Sequence, residues 1–246
     1  MYVGQGELSQ MASKEISPSS SSRAVFDRDL QELRENVLRM ADLLKSAVLG
    51  ALTALREGNP DIGEKIIEGD LAVNNMRYKI ENDCLHMIAT QQPAAGDLRA
   101  IVAGMNLAGD MERMGDYAAG IAKVFLRMDD TCTGDLPHSL DEMAELVLSM
   151  LNRAIKAYEE ADDTLAYEVA SIDTQIDEHY HALYSELVER ITNNPGKTTD
   201  CLYLMFIGHN LERFADRATN LAEHVIFMTS GKIQELNPED GLSEAN

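Results

Sequence analysis

The sequence predicts an all-α protein, a tandem repeat of two antiparallel three-helix bundles. The first observation behind this is an apolar seam that occurs twice. Met111, Met114, Ala118, Ile121, Phe125 and Met128 are spaced 3, 4, 3, 4 and 3 residues apart, and Leu211, Phe214, Ala218, Leu221, Val225 and Met228 repeat that rhythm 100 residues later. Such spacing is a helix stripe that packs against neighbouring helices. The second observation is the set of breaks. Gly58-Asn59-Pro60-Asp61, Gln91-Gln92-Pro93, the stretch Asp129 to Pro137, Asp162-Asp163 and Asn193-Asn194-Pro195-Gly196 divide the chain into six segments. No strand-like alternation interrupts them.

Taken in order, residues 1–22 contain Ser17-Pro18 and a serine run and read as a disordered leader. They lack the apolar core of a signal peptide. The first bundle is expected over 23–130. Its first helix, Arg23 to Glu57, keeps a 3/4 rhythm through Leu30, Leu33, Val37, Met40, Leu44, Ala47 and Ala51. Asn59-Pro60 ends that helix and caps a second, which runs to about Thr90. A third follows from about Ala94 to Asp129. Thr131, Thr133, Gly134 and Pro137 mark a linker. The second bundle is expected over 131–231. Its helices run from near Ser139 to Glu160, from the Asp162-Asp163 cap to about Thr192, and from about Thr198 to Thr229, with Gly231 as the stop. Residues 232–246 read as a loose acidic tail. Short turns between long helices imply antiparallel neighbours.

The formal charge of the 246-residue chain is −21, from 42 acids against 21 Lys and Arg. That balance argues against nucleic-acid binding, which needs clustered basic residues. It suits a cation or a partner with a basic patch. The three cysteines, Cys84, Cys132 and Cys201, are far apart and form no CxxC, which fits a reducing cytoplasm. No stretch has the length of uninterrupted apolar residues that a transmembrane helix needs.

Polar residues repeat beside the seam. Glu112, Arg113 and Asp116 recur as Glu212, Arg213 and Asp216. In a helix each Glu/Asp pair lies on one face, about one turn apart, and needs a positive neighbour. The second and fifth helices match at an offset of 103, so Asp70 between Ile66 and Val73 corresponds to Asp173 between Val169 and Ile176. A carboxylate on a buried seam is costly unless paired or coordinated. One turn further stand Asn74 and Asp177. Two oxygen-rich sites follow: Asp70 and Asn74 with Glu112 and Asp116, and Asp173 and Asp177 with Glu212 and Asp216, near Asn220. All-oxygen ligation suits hard cations such as Mg, Ca, Mn or oxidised iron. Pairing with Arg99, Arg113, Arg213 or Arg217 would satisfy the same carboxylates without metal.

These residues resemble the PhoU family, over about Val25 to Gln234. The marks are Phe26-Asp27-Arg28-Asp29-Leu30, Gln91-Gln92-Pro93 with Asp97-Leu98-Arg99, Glu112-Arg113-Met114-Gly115-Asp116, and the run from Leu211 to Glu223. The resemblance implies a cytosolic tandem three-helix protein that negatively regulates phosphate uptake and the phosphate-starvation response. It implies action between a Pst-type phosphate ABC transporter and a PhoR-type sensor histidine kinase, reaching the membrane only through such partners. It also implies a divalent or ferric ion (Fe, Mn, Mg, Ca or Zn) on the Glu112/Asp116 and Glu212/Asp216 motifs, with Asp70, Asp173 and Asp177 opposite. Asn74 stands where the family has an acid, and Arg217 where the second motif often has histidine. Long helices with two similar faces suit a homodimer.

Two other functions compete with this regulatory, non-enzymatic reading. A di-iron carboxylate enzyme would use paired Glu-x-x-His turns. Glu178 with His181 offers one and Asp83 with His86 a variant, but their histidines are 95 residues apart, outside both repeat offsets. A metal-free adaptor would keep its acids salt-bridged. No GxxxxGK[ST] loop is present, so ATP hydrolysis is not expected. No basic pocket for phosphate is evident, so phosphate is expected to be sensed through partners.

Overall fold

The computed structural model describes residues 18–128 and 136–236. Six helices account for nearly all of it: α1 (Pro18–Glu57), α2 (Pro60–Gln91), α3 (Ala95–Phe125), α4 (His138–Glu160), α5 (Asp163–Asn193) and α6 (Thr198–Ser230). A 3-10 turn, Pro195–Lys197, precedes α6. Helices α1, α2 and α3 pack on one another, as do α4, α5 and α6, and α3 packs against α6.

The expected boundaries have local causes. The Asp61 N–H donates to Asn59 Oδ1 at 3.1 Å, and Pro60 opens α2. Asp162 accepts from the N–H groups of Thr164 and Leu165, at 2.8 and 3.3 Å, and so caps α5. Gly231 adopts φ +75° and its N–H closes α6 on the Phe227 carbonyl. Three boundaries differ from expectation. α1 begins at Pro18, so residues 18–22 of the expected leader are helical; proline is at home in a first turn because it has no N–H to satisfy there. α3 ends at Phe125 rather than Asp129, since Arg127 and Met128 donate to carbonyls three residues back and tighten the chain out of the helix. The tail is tied down as far as Leu236, whose N–H donates to Glu223 at 2.8 Å. Residues 1–17, most of the linker (129–135) with Cys132, and 237–246 lie outside the described residues.

Both seams are core. Met111, Met114, Ala118, Ile121, Leu211, Phe214, Ala218, Leu221 and Val225 are fully buried. They join one continuous apolar cluster that runs through both bundles. Cys84 and Cys201 are free and buried. α3 and α6 cross antiparallel: Asp110 meets Arg217 and His224, while Gly120 meets Asn210. The crossing is tight, because a Cβ on Gly120 would stand 2.8 Å from Asn210 Oδ1. α1 and α4 are tied at both ends, by Arg34 donating to the Glu159 carbonyl and by the Arg56–Asp141 ion pair at 3.0 Å. Among the described residues no helix is long and apolar enough to cross a membrane.

Candidate functional site

In the first repeat α2 lays Asp70 and Asn74 against the motif turn of α3. Gly115 permits this approach: a Cβ there would stand 3.2 Å from Val73 and 3.5 Å from Asp70 Oδ1. Asn74 Nδ2 donates to Asp70 Oδ2 at 3.2 Å. Asp70 Oδ1 and Asn74 Oδ1 are buried with no hydrogen-bond partner. Glu112 pairs with Arg77 at 3.0 Å, and Arg77 also donates to Glu81 at 2.8 Å. Desolvation, followed by the charges of Glu112 and Asp70, raises the Asp116 carboxyl above its ordinary range.

In the second repeat Asp173 is buried on α5, as its seam position predicts. Glu212 is pushed up to about 7, first by desolvation and then by Asp216, with Asp177 and Asp173 adding to it and Arg213 opposing. Asp216 and Asp177 are also raised, each mainly by desolvation. Arg213 donates to Asp216 Oδ2 at 3.2 Å. Glu212 Oε2 is buried without a hydrogen bond, 3.4 Å from Arg213 Nε and 3.5 Å from His209 Nδ1. Each set of four sequence-predicted residues is therefore drawn into one neighbourhood across an antiparallel helix pair.

The arginines are used differently from expectation. Arg77, which the motif reading passed over, neutralises Glu112. Arg99 donates to the Met228 carbonyl, and Arg113 has no ion pair among the described residues. Arg217 lowers the Asp216 carboxyl, but its hydrogen bond goes to Asp110 Oδ1 on α3 at 3.3 Å. His224 Nε2 donates to Asp110 Oδ2 at 2.9 Å. Burial alone would raise the Asp110 carboxyl, yet that hydrogen bond and the charges of His224 and Arg217 lower it. Asp110, Arg217 and His224 form a polar tie between the repeats that sequence reasoning missed. Asp110 is more than a hundred residues from both of its partners in the chain, and it lies outside the repeated motif.

Beside the first cluster runs a groove. It is an open cleft of about 590 Å³ lined by Arg77, Glu81, Asn106, Asp110, Arg113 and Arg217, with Asn220 and His224 at its α6 side. The repeat offsets carry these positions to Tyr180, Tyr184, Phe206, Asn210, Arg213, Tyr117, Gly120 and Val124. Tyr184 and Phe206 are exposed, and the Tyr180 ring lies 6.4 Å from that of His209. Arg77, Glu81 and Arg217 thus have tyrosines as counterparts, while Arg113 is matched by Arg213. A basic cleft was not expected from the sequence, because no single segment carries it.

The PhoU domain model matches residues 37–125 and again 140–225, one copy per repeat. The chain belongs to the PhoU family. It is 33% identical over 217 residues to the phosphate-specific transport system accessory protein PhoU homolog of Clostridium acetobutylicum, covering 88% of this chain and 99% of that one. The homolog of Streptococcus pneumoniae serotype 4 is 36% identical, covering 87% of this chain and all of that protein. Among solved structures, PhoU of S. pneumoniae superposes with a TM-score of 0.79 at 32% identity, covering 85% of this chain and 99% of that one. PhoU of Pseudomonas aeruginosa superposes at 0.79 and 30%, covering 84% of this chain and all of that one.

In this PhoU-family chain the clusters suit a hard cation by donor chemistry. Every candidate ligand is an oxygen, and Asp70 Oδ1, Asn74 Oδ1 and Glu212 Oε2 are buried acceptors that receive no hydrogen bond. The side chains as placed are not a ligand shell: among the described residues, no three His, Cys, Asp or Glu gather so as to hold one ion. Arginine now supplies the positive charge that the carboxylate pairs require, from Arg77 in one cluster and Arg213 in the other.

Proposed function

We propose that this chain is a cytoplasmic accessory protein of a phosphate-specific transport system and a negative regulator of phosphate uptake and of the phosphate-starvation response. It acts by contact with a Pst-type ABC transporter and a PhoR-type sensor histidine kinase, as a homodimer and without catalysis of its own. The observation that carries this is the full-length match, at about a third identity, to proteins named as phosphate transport accessory proteins. The acidic surface supports it, since a chain of charge −21 suits a partner with a basic face. Deleting the gene from its host tests it. Starvation-reporter output and phosphate uptake should rise in phosphate-rich medium. Output that stays repressed would count against negative regulation, and failure of the tagged protein to co-purify with transporter or kinase would count against the contacts.

We further infer that the carboxylate clusters take a divalent or ferric cation in the cell. Asp70, Asn74, Glu112 and Asp116 would hold it in one repeat, and Asp173, Asp177, Glu212 and Asp216 in the other. A bound ion supplies positive charge in place of the arginines. Arg77 must then leave Glu112, so metal content is coupled to the shape of the groove that Arg77 lines. Elemental analysis of protein purified without a metal-affinity tag should find metal, lost on combined alanine substitution of Glu112, Asp116, Glu212 and Asp216. Metal-free wild type would leave the metal-free adaptor as the better reading.

A further inference from the structure

The charged groove between the repeats holds more positive charge than its ion pairs use. Arg77, Arg113, Arg217 and His224 reach it from three helices, in a chain with only 21 Lys and Arg against 42 acids. The acids that line it are already engaged. Asp110 accepts from Arg217 on one oxygen and from His224 on the other, and Glu81 accepts from Arg77. What remains is cationic: Arg113 is exposed with no ion pair among the described residues, beside the Arg217 guanidinium that Asp110 holds. The amides of Asn106 and Asn220 stand beside them. At the repeat-equivalent positions Arg77 is matched by Tyr180 and Arg217 by Tyr117, while Arg113 is matched by Arg213. Helix packing therefore does not require arginine at positions 77 and 217.

We propose that this cleft binds a phosphate-type oxyanion, either free or as the terminal group of a nucleotide. Guanidinium groups match such oxyanions with paired, charge-assisted N–H donors, which makes Arg113 and Arg217 the principal contacts. Asn106 adds a neutral donor. Asp110 holds Arg217 in place by binding its Nη1, with the guanidinium at the wall of the cleft. A cation is disfavoured here, because both Asp110 oxygens already accept hydrogen bonds. An occupant would touch α3 of the first repeat and α6 of the second, and so would bias how the two halves sit. This goes beyond the accessory role and needs no transporter or kinase for its test, so either reading can fail without the other.

The test is calorimetric titration of the full chain with inorganic phosphate, against chloride at matched ionic strength, with ADP in a second arm. Saturable binding is expected. Arg113→Gln should weaken it by about tenfold or more, the effect of one charge-assisted contact. Because Arg113 is exposed and unpaired, that variant should melt with the wild type. Arg217→Gln should weaken binding as well. Arg39→Gln, on exposed α1, should leave it unchanged. Tighter binding of ADP than of phosphate, with the same dependence on Arg113, identifies a nucleotide phosphate as the ligand; binding of phosphate alone identifies the free ion. No saturable heat with either, or equal binding by wild type and Arg113→Gln, overturns the proposal.

Discussion

Arg77 and Tyr180 occupy the same position in the two repeats, and the glutamates they face live in different surroundings. Glu112 receives the Arg77 guanidinium at 3.0 Å, across from α2. Glu212 faces Tyr180, whose hydroxyl carries no charge at neutral pH, and its carboxyl is pushed up to about 7 by desolvation and the acids around it. The motif is written identically twice, yet its electrostatics are set by a residue outside it on a neighbouring helix. The same divergence extends to neighbouring positions, where Glu81 is matched by Tyr184 and Asn106 by Phe206. The repeats therefore share a scaffold and a carboxylate pattern while presenting two chemically distinct faces to ligands or partners.

The strongest way to break the comparison is at the shared core. Met114 and Phe214 are repeat equivalents, both fully buried in one continuous cluster. Phe214→Ala should cost about 3 to 5 kcal/mol and Met114→Ala about 2 to 5, measured by urea unfolding. Since α3 packs on α6, each variant should unfold in a single transition that helical and tertiary probes report together. Two separated transitions would mean that the halves are energetically independent.

A smaller effect converts one cluster into the other. Arg77→Tyr gives the first repeat the residue of the second and leaves Glu112 beside Asp116 and Asp70 without its guanidinium. The pair is intermediate between exposed and buried, so the loss at pH 8 should be about 2 kcal/mol. It should shrink at high salt, which screens a pair that water partly reaches. Equal destabilisation at low and high salt would show that Arg77 acts by packing its stem rather than by charge.

The fold could be read from the sequence because its determinants are local. The 3/4 seams through Met111 and Leu211, the Asn59 and Asp162 caps and the Gly231 stop each depend on residues a few positions apart, and each is where the spacing places it. The acids of the candidate clusters were legible for the same reason, since Glu and Asp one turn apart share a helix face. Their partners were not. Arg77 stands on a different helix from Glu112, and Asp110 meets Arg217 and His224 more than a hundred residues away. Periodicity shows which face a residue occupies, but only the crossing of two helices decides whom it meets. The available signal was where the repeat fails: Arg77 against Tyr180, Glu81 against Tyr184 and Gly109 against His209 mark the groove of the first repeat.

The smallest expected effect isolates Glu212 itself. Its carboxyl is raised from 4.5 in an unfolded chain to about 7 in the folded one. The folded state thus holds that proton more tightly, so the contribution favours folding at low pH and is lost as pH rises through about 7. Glu212→Gln removes the titration while keeping the shape. It should leave stability unchanged below pH 4.5, where the wild-type carboxyl is already neutral, and stabilise the protein at pH 8. Discounted for a side chain that water partly reaches, the gain should be about 1 kcal/mol. Adding a divalent cation at pH 8 should reverse the order if Glu212 is a ligand, because the wild type then gains binding energy that the glutamine variant has largely given up. A gain at pH 8 that added cation does not alter would make Glu212 a strained, metal-independent carboxyl, held in place by the packing of α5 on α6.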